Sequence, residues 1–586
     1  MDLGDSEIAV PWALSFAVDP QRLAAETRRM TKGSGWMRLA AAVVSGLLVA
    51  AAFPPLDLSW LVWVALLPLL WALGAVEGKR AGLRGFGIAY LAGLTACLIQ
   101  FNWVASVSWL GAILLPLYLA VYWGLFGWFA ATIGRPRKNG GAWESLRLAF
   151  CHGAVWAGCE LLRGWVITGI SWNVLGVALG DSPQIAQAAD LLGVAGLSLA
   201  LVFFQTLLLQ AARNRRYREL GMAALLVISL LAYGKFRLAL EANGESVRLK
   251  ALLVQINIPQ DAARVLWTDL ETHQAYEDET LKALNALKSP AGTLSPNWPD
   301  WVMWPECALT GRILRTDDGA WGSWQINTDT IAQVREAGPF SLIYGVNELE
   351  AENNGDELVM KENAKAYNSI AVMSPSDELQ TYRKRHLVIF GETIPFVDSI
   401  PWLKKIYEQQ SGAEYRGAFT AGDSLEPLPI LAGQTTIGAI PTVCFEDSVP
   451  RLTRKFVRPG PQVIINVTND GWFKESAAAA QHFAYARFRA IELRRPLLRC
   501  ANTGVSAAIS STGSTAHPVT GKSQLLTDAN GSHFTRGSLL TELKIPLHPT
   551  FSLFAQIGDW GILTLAAAGL ILCRRKVDTP VRQPMR

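Results

Sequence analysis

Charge is what this chain has least of. Asp, Glu, Lys and Arg make up 17% of its 586 residues, against about 25% in ordinary soluble domains. The deficit is local. Residues 1 to 36 are mixed and charged, 37 to 240 are apolar with brief basic interruptions, 248 to 548 read as an ordinary soluble domain, and 551 to 573 are apolar again. That distribution, with a mean hydropathy of +0.21, excludes a wholly soluble protein and predicts a membrane protein carrying a large inserted globular domain. Internal repeats, metal-ligand spacings and glycine-rich phosphate loops are also missing, which leaves no basis for a solenoid, a metal centre or a nucleotide site. No metal and no cofactor are therefore expected. The acidic opening Met1-Asp2-Leu3-Gly4-Asp5 lacks an early apolar core, so no cleaved secretory signal is expected and the first span serves as an uncleaved anchor.

A membrane span needs about 20 apolar residues. Seven candidates precede the soluble domain, near 37–53, 58–76, 85–104, 109–133, 146–168, 185–211 and 219–236, and one follows it at 551–573. Basic residues set their orientation. Arg28, Arg29 and Lys32 precede the first span; Lys79, Arg80 and Arg84 join the second to the third; Arg135, Arg137, Lys138 and Arg147 join the fourth to the fifth; Arg213, Arg215, Arg216 and Arg218 join the sixth to the seventh. The alternate loops, Pro54 to Trp60, Ser106 to Ser108 and Gly169 to Gln184, hold no Lys or Arg. Every second loop is then cytoplasmic. The domain at 248–548 is expected in the periplasm, with cytoplasmic tails at 1–36 and 574–586, the latter carrying Arg574-Arg575-Lys576. The net charge of +4 is largely this topology signal and gives no ground for a nucleic-acid partner. Trp60, Trp63, Trp103, Trp109, Trp123, Trp165 and Trp172 cluster near span ends, as an interfacial belt does.

Inside the soluble segment, short β-branched or apolar runs occur at Val247 to Ile256, Trp301 to Trp304, Ser341 to Val346, Tyr367 to Met373, Gln434 to Val443 and Gln462 to Thr468. Helix-like stretches such as Trp267 to Leu287 and Gln481 to Glu492 lie between some of them. The pattern predicts an α/β domain.

Three strings at strand-like ends carry chemistry: Trp304-Pro305-Glu306, Tyr382-Arg383-Lys384 and Val443-Cys444-Phe445-Glu446. A thiol with a pKa near ~8.5 is mostly protonated at neutral pH, so a carboxylate must take its proton as it attacks a carbonyl. Glu306 is the candidate base. The oxyanion that follows needs a fixed cation and a backbone N–H, and Lys384 is the candidate cation. Of the seven cysteines, Cys97, Cys151, Cys159 and Cys573 fall in spans, leaving Cys307, Cys444 and Cys500 in the domain. Three is odd, so at least one stays unpaired within the monomer, and Cys444, at a strand end before Phe-Glu-Asp, is the candidate nucleophile.

The ordered Glu, Lys and Cys resemble the triad of the nitrilase superfamily. The fuller strings Trp-Pro-Glu, Lys-x-His-Leu-Val-x-Phe-Gly-Glu (Lys384 to Glu392) and Cys-Phe-Glu-Asp resemble its membrane-embedded branch, the apolipoprotein N-acyltransferase family. The resemblance implies an α-β-β-α sandwich behind a multi-span helical domain. It also implies that Glu392 helps place the lysine and the oxyanion, and that Glu446 and Phe445 support the nucleophile's surroundings. Thr468-Asn469-Asp470-Gly471-Trp472-Phe473 and Arg487 to Asn502 also resemble family strings, with Asn469 and Trp472 as site walls. Glu160 and Arg163, in the fifth span, resemble the family there and are read either as a structural ion pair or as a phospholipid headgroup contact.

The chain departs from the family pattern at three places. Phe445 stands where some members carry tyrosine, Ile389 replaces a common proline, and the tryptophan expected soon after Gln255 to Gln260 appears only at Trp267. The activity implied is transfer of an acyl chain from a phospholipid, through a Cys444 thioester, to the α-amine of a diacylated apolipoprotein at a bacterial inner membrane. Two rival readings are a membrane-tethered amidase of the same triad with water as acceptor, and a transporter or lipid-binding scaffold with a degenerate enzyme domain. The scaffold predicts several charged or broken helices at mid-membrane.

Overall fold

The computed structural model describes residues 35–573 apart from 137–140, 262–263, 356, 395–399 and 412–417. The expected cytoplasmic signals at Arg28, Arg29, Lys32, Arg137, Lys138 and Arg574 to Lys576 lie outside the described residues.

The apolar N-terminal sequence forms a set of helices joined by 3-10 turns. The helices are α1 (Gly35–Ala51), α2 (Leu67–Gly74), α3 (Ala81–Gln100), α4 (Trp109–Ala131), α5 (Ala142–Arg163), α6 (Ala189–Asn214) and α7 (Tyr217–Ala242). Among the described residues α3, α4, α6 and α7 are long and apolar enough to cross a membrane. The region expected as a span at 58–76 is instead a 3-10 turn, Ser59–Trp63, followed by α2, whose first turn holds Pro68. A proline lacks the N–H that would continue a helix through it. In α4, the Ser108 side chain accepts the Gly111 N–H at 3.0 Å and closes the first turn. α6 is broken at Leu192 and Gly193, the latter at φ +68°, and the freed Val194 N–H donates to Glu492 Oε1 at 2.7 Å. A carboxylate from the soluble domain thus closes a gap in a membrane helix, where an unmet N–H is costly.

The soluble domain holds two mixed sheets. In chain order the strands are β1 (Ser246–Gln255), β2 (Trp301–Met303), β3 (Ser341–Asn354), β4 (Ala366–Met373), β5 (Leu379–Arg383), β6 (Leu428–Ala432), β7 (Thr435–Val443), β8 (Gln462–Thr468), β9 (Leu497–Ala501), β10 (Ala507–Ile509) and β11 (Gly537–Pro546). The first sheet runs β5-β4-β3-β2-β1-β11, with three short strands off this path, and the second β6-β7-β8-β9-β10. Each has a parallel centre, β1-β2-β3 and β7-β8-β9, flanked by antiparallel strands. Alternation sorts the faces. Leu249, Ala251 and Leu253 point inward onto Ile440, Ile465 and Cys500 of the second sheet. Leu252 and Val254 point outward under α8 (Asp269–Asn285) and α9 (Gln325–Arg335). Helices therefore cover the first sheet and α11 (Ala477–Leu493) covers the second, giving the α-β-β-α sandwich; a short helix, α10 (Pro401–Ser411), lies between.

α11 is buried on both sides. Ala486, Ala490 and Leu493 face the second sheet, while Tyr485, Phe488 and Ile491 join the core of the membrane helices. The chain leaves through a short helix, Leu553–Ile557, and then α12 (Trp560–Cys573). The run at 551–573 is not one helix, because Gly558 adopts φ +54° between the two.

Candidate active site

Each candidate catalytic residue sits just past the end of a strand, two of them central and one at a sheet edge. Glu306 follows β2 in a loop stitched along β3: Ala308 N–H donates to Gly345 O and Gly345 N–H to Pro305 O, both at 3.0 Å. Gly345 is required there, since a β-carbon on it would lie 2.5 Å from the Glu306 Cα. Lys384 follows β5, its N–H donating to Asn368 O at 2.8 Å. Cys444 follows β7 and opens the 3-10 turn Cys444–Ser448 with φ +51°. A non-glycine residue in that region carries backbone strain. Asn466 Nδ2 steadies it by donating to Cys444 O at 3.1 Å.

The three converge. Lys384 Nζ lies 2.9 Å from Glu392 Oε2 and 3.7 Å from Glu306 Oε1, and the ammonium is almost wholly buried. Asn368 Nδ2 donates to Glu306 Oε1 at 2.8 Å and to Glu392 Oε1 at 2.7 Å. Glu392 also accepts the Val388 N–H at 2.9 Å. Burial opposes the Lys384 charge, but the Glu392 and Glu306 carboxylates outweigh it and hold its pKa above the ordinary lysine value. Burial raises the Glu306 carboxyl, which Lys384 pulls back down. The Cys444 thiol is pushed well up by burial and by the Glu306 charge, and drawn down by Lys384. The site thus sets a thiol, a carboxyl group and an ammonium together. Moving the proton from sulfur to Glu306 leaves the thiolate beside Lys384.

Glu446 spends its hydrogen bonds on the backbone and a tyrosine hydroxyl, while its charge also reaches Lys384. It is fully buried and accepts the Val443, Arg385 and His386 N–H groups at 2.9, 2.8 and 2.9 Å, together with the Tyr382 hydroxyl. It therefore ties the Cys444 turn to the Lys384 loop. The Phe445 ring lies flat on Trp172, with centroids 5.7 Å apart and planes 5° apart, and near His386 at 5.9 Å. Trp172 belongs to the loop after α5, so a membrane-domain ring touches the residue next to the thiol.

Glu160 and Arg163 make no ion pair with one another among the described residues. Each holds that loop instead: Glu160 Oε1 accepts the Leu175 N–H at 2.9 Å, and Arg163 Nη2 donates to Trp172 O at 2.8 Å. Asn469 caps the turn after β8 and donates to Gln260 at 2.9 Å. Trp472 is half-buried in the following turn, while its neighbour Phe473 meets Trp103 at 4.5 Å. Trp267 packs at the rim of the outer core of the first sheet, with Tyr276 and Trp304 among that core's residues. Cys307 is exposed and Cys500 lies between the sheets.

A second cluster backs the turn. His482, from α11, places Nε2 2.9 Å from Asp447 and Nδ1 2.8 Å from Asp470. Arg499 bridges the same carboxylates at 2.8 and 3.1 Å and donates to Asn466 Oδ1 at 2.9 Å. Burial and Arg499 oppose the imidazolium, yet the two aspartates raise its pKa to about 9. Beside it, Gln481 accepts both the Trp103 and Trp172 indole N–H groups, at 3.1 and 3.0 Å, and donates to Pro54 O and Gln100 O. Sequence reasoning passed over Gln481, His482 and Asn368; the one signal for them was polar residues inside otherwise apolar runs.

Two family models match the chain: an apolipoprotein N-acyltransferase N-terminal domain over residues 45–207 and a carbon-nitrogen hydrolase over 257–527. Among curated proteins, the apolipoprotein N-acyltransferase of Geobacter metallireducens is 31% identical over 490 residues, covering 80% of this chain and 85% of the relative. Those of Bradyrhizobium diazoefficiens and Photobacterium profundum are 30% and 28% identical, covering 92% and 83% of this chain and 95% and 87% of the relatives.

Proposed function

The chain belongs to the apolipoprotein N-acyltransferase family and is a membrane enzyme of lipoprotein N-acylation, and from that premise we propose that Cys444 carries the acyl chain as a thioester, with Glu306 as acid and base and Lys384 as oxyanion partner. The observation that carries this reading is the Lys384 ammonium, held by Glu392 at 2.9 Å and by Glu306 at 3.7 Å and facing the Cys444 thiol.

In the first half-reaction the thiol attacks an ester carbonyl of a phospholipid. Glu306 takes the thiol proton, burial having made its carboxylate a stronger base than a solvated one. Lys384 and a backbone N–H of the Cys444 turn stabilise the oxyanion. Glu306 then protonates the departing lysophospholipid alkoxide. In the second half-reaction the α-amine of an S-diacylglyceryl-cysteine attacks the thioester, and the N-acylated lipoprotein leaves. Water competes with the amine throughout, so transfer depends on shielding the thioester and holding the amine in line. Phe445, Trp172 and Phe473 supply apolar shielding beside the turn.

Both lipid substrates reach such a site by lateral diffusion, which favours a domain resting on the outer face of a bacterial inner membrane. Reporter fusions test that orientation: one after Arg586 is active only in the cytoplasm and one near Gly292 only outside it. The chemistry is tested with purified protein and phospholipid. An acyl-enzyme forms, lasts for minutes, and is discharged by a diacylated lipopeptide with a free α-amine but not by its N-acetylated form. Fast release of free fatty acid that ignores the lipopeptide would mean the tethered hydrolase instead.

A further inference from the structure

The amine-binding half of the reaction has an unfilled acceptor in this site. Asn368 lies on β4, is 3% exposed, and spends both amide N–H groups on the base Glu306 and on Glu392, at 2.8 and 2.7 Å. Two carboxylates as acceptors fix which end of the amide is nitrogen. Its other end, Oδ1, is buried and has no donor. Buried carbonyl oxygens are nearly always satisfied, so an orphan one asks for a ligand that brings N–H or O–H groups. Because the amide is planar, Oδ1 lies on the same edge as one of the two carboxylates it serves. An edge with a neutral acceptor beside an anionic one suits a primary ammonium. The scissile ester of the first half-reaction brings no such donor to the reacting carbon; the nucleophilic N-terminus of the second substrate does.

We propose that Asn368 Oδ1 accepts an N–H of the incoming α-amine and turns its lone pair toward the thioester, making Asn368 a catalytic residue of the second half-reaction. The assignment rests on the acyl-transfer reading above. The protons balance as follows. One N–H of the ammonium passes through Glu306 to water, freeing the lone pair. The nitrogen forms the C–N bond as the C–S bond breaks, and a second proton is carried by Glu306 to the Cys444 sulfur. The third stays on the amide nitrogen, and this is the one Asn368 holds. Oδ1 of a neutral amide takes no proton itself, so it orients the nucleophile without competing with Glu306.

The test uses the full-length protein in phospholipid nanodiscs, with Asn368→Ala and Asn368→Ser side by side. Loading by phospholipid and discharge by a diacylated lipopeptide are followed separately by intact mass, with hydroxylamine as a small amine that needs no orientation. Both variants lose some loading, since the contact to Glu306 goes. Discharge by the lipopeptide is expected to fall about tenfold further, with a raised half-saturating concentration, while hydroxylamine discharge falls no more than loading. Equal losses in loading and lipopeptide discharge would reduce Asn368 to a clamp on Glu306 and overturn the proposal, as would unaltered discharge. The unsubstituted protein separates the two levels. If it releases fatty acid regardless of lipopeptide, the acyl-transfer reading itself fails; if it transfers and the variants lose both halves alike, the Asn368 assignment alone fails.

Discussion

Two buried charge clusters meet at the Cys444 turn, and they are built on opposite terms. Behind it, Asp447, Asp470, His482 and Arg499 pair their charges among themselves, with each carboxylate held from two sides. With the imidazole protonated, the four charges sum to zero. In front, Glu306 and Glu392 share one ammonium and one amide, which leaves an excess negative charge and a spare acceptor. The closed cluster resists change and fixes backbone. The open one can gain and lose protons, because its partners do not exhaust it. A buried charge whose partners are complete is a structural part, and one whose partners are incomplete is available for chemistry.

Substitutions on either side should keep that division. Cys444→Ala abolishes the acyl-enzyme in intact-mass measurements, whereas Cys307→Ala and Cys500→Ala retain most activity; an adduct persisting without Cys444 would move the chemistry elsewhere. Arg499→Met strands two buried carboxylates on one imidazole and is expected to cost about 3–5 kcal/mol of stability, read as a lower unfolding midpoint. If it lowers turnover while leaving the midpoint intact, the rear cluster is not structural. The pH response comes next. The two aspartates push the His482 imidazole up to about 9 in the fold, from about 6.5 for an ordinary histidine, so its contribution is full below about 6.5 and is lost as pH rises through about 9. The groups facing it are Asp447, Asp470, Arg499 and the Trp172 ring. The unfolding midpoint therefore declines across that window in the parent protein and is flatter in His482→Gln; parallel curves would remove the imidazolium from the account. Gln481→Leu has the smallest effect, about 1–3 kcal/mol for hydrogen bonds left unmade, and a midpoint unchanged by it would show that the junction does not depend on that amide.

The sequence was legible where structure is local or buried on both faces. The strands β1, β2, β3, β7 and β8 of the two sheet centres read as apolar runs, as strands covered on both sides do. The strands without a reading, β5, β6, β10 and β11, are the four sheet edges. β5, β6 and β11 interleave partly exposed positions, and β10 is only three residues long. The candidate site followed the same rule. Glu306, Lys384 and Cys444 each carry their identity in adjacent residues. Asn368 and His482 do not, since each matters through contacts with residues distant in the chain, from Glu306 in one case and Asp447 in the other. Glu160 and Arg163 looked like a pair because they are spaced as one on a helix, yet each is hydrogen-bonded to the loop that presents Trp172.

The pairing of β1 with β11 sets Ser246 opposite Pro546, so the first strand of the domain lies beside the last. β1 begins only a few residues after α7, and β11 ends shortly before the closing helices. The domain therefore hangs from two neighbouring stalks, and during synthesis one side of β1 stays bare until nearly the whole domain has been made. Sheet closure and insertion of the final helix become a single late event in biogenesis. A ribosome stalled before Gly537 would leave a chain with an open sheet edge, a substrate for proteases rather than a partly working enzyme.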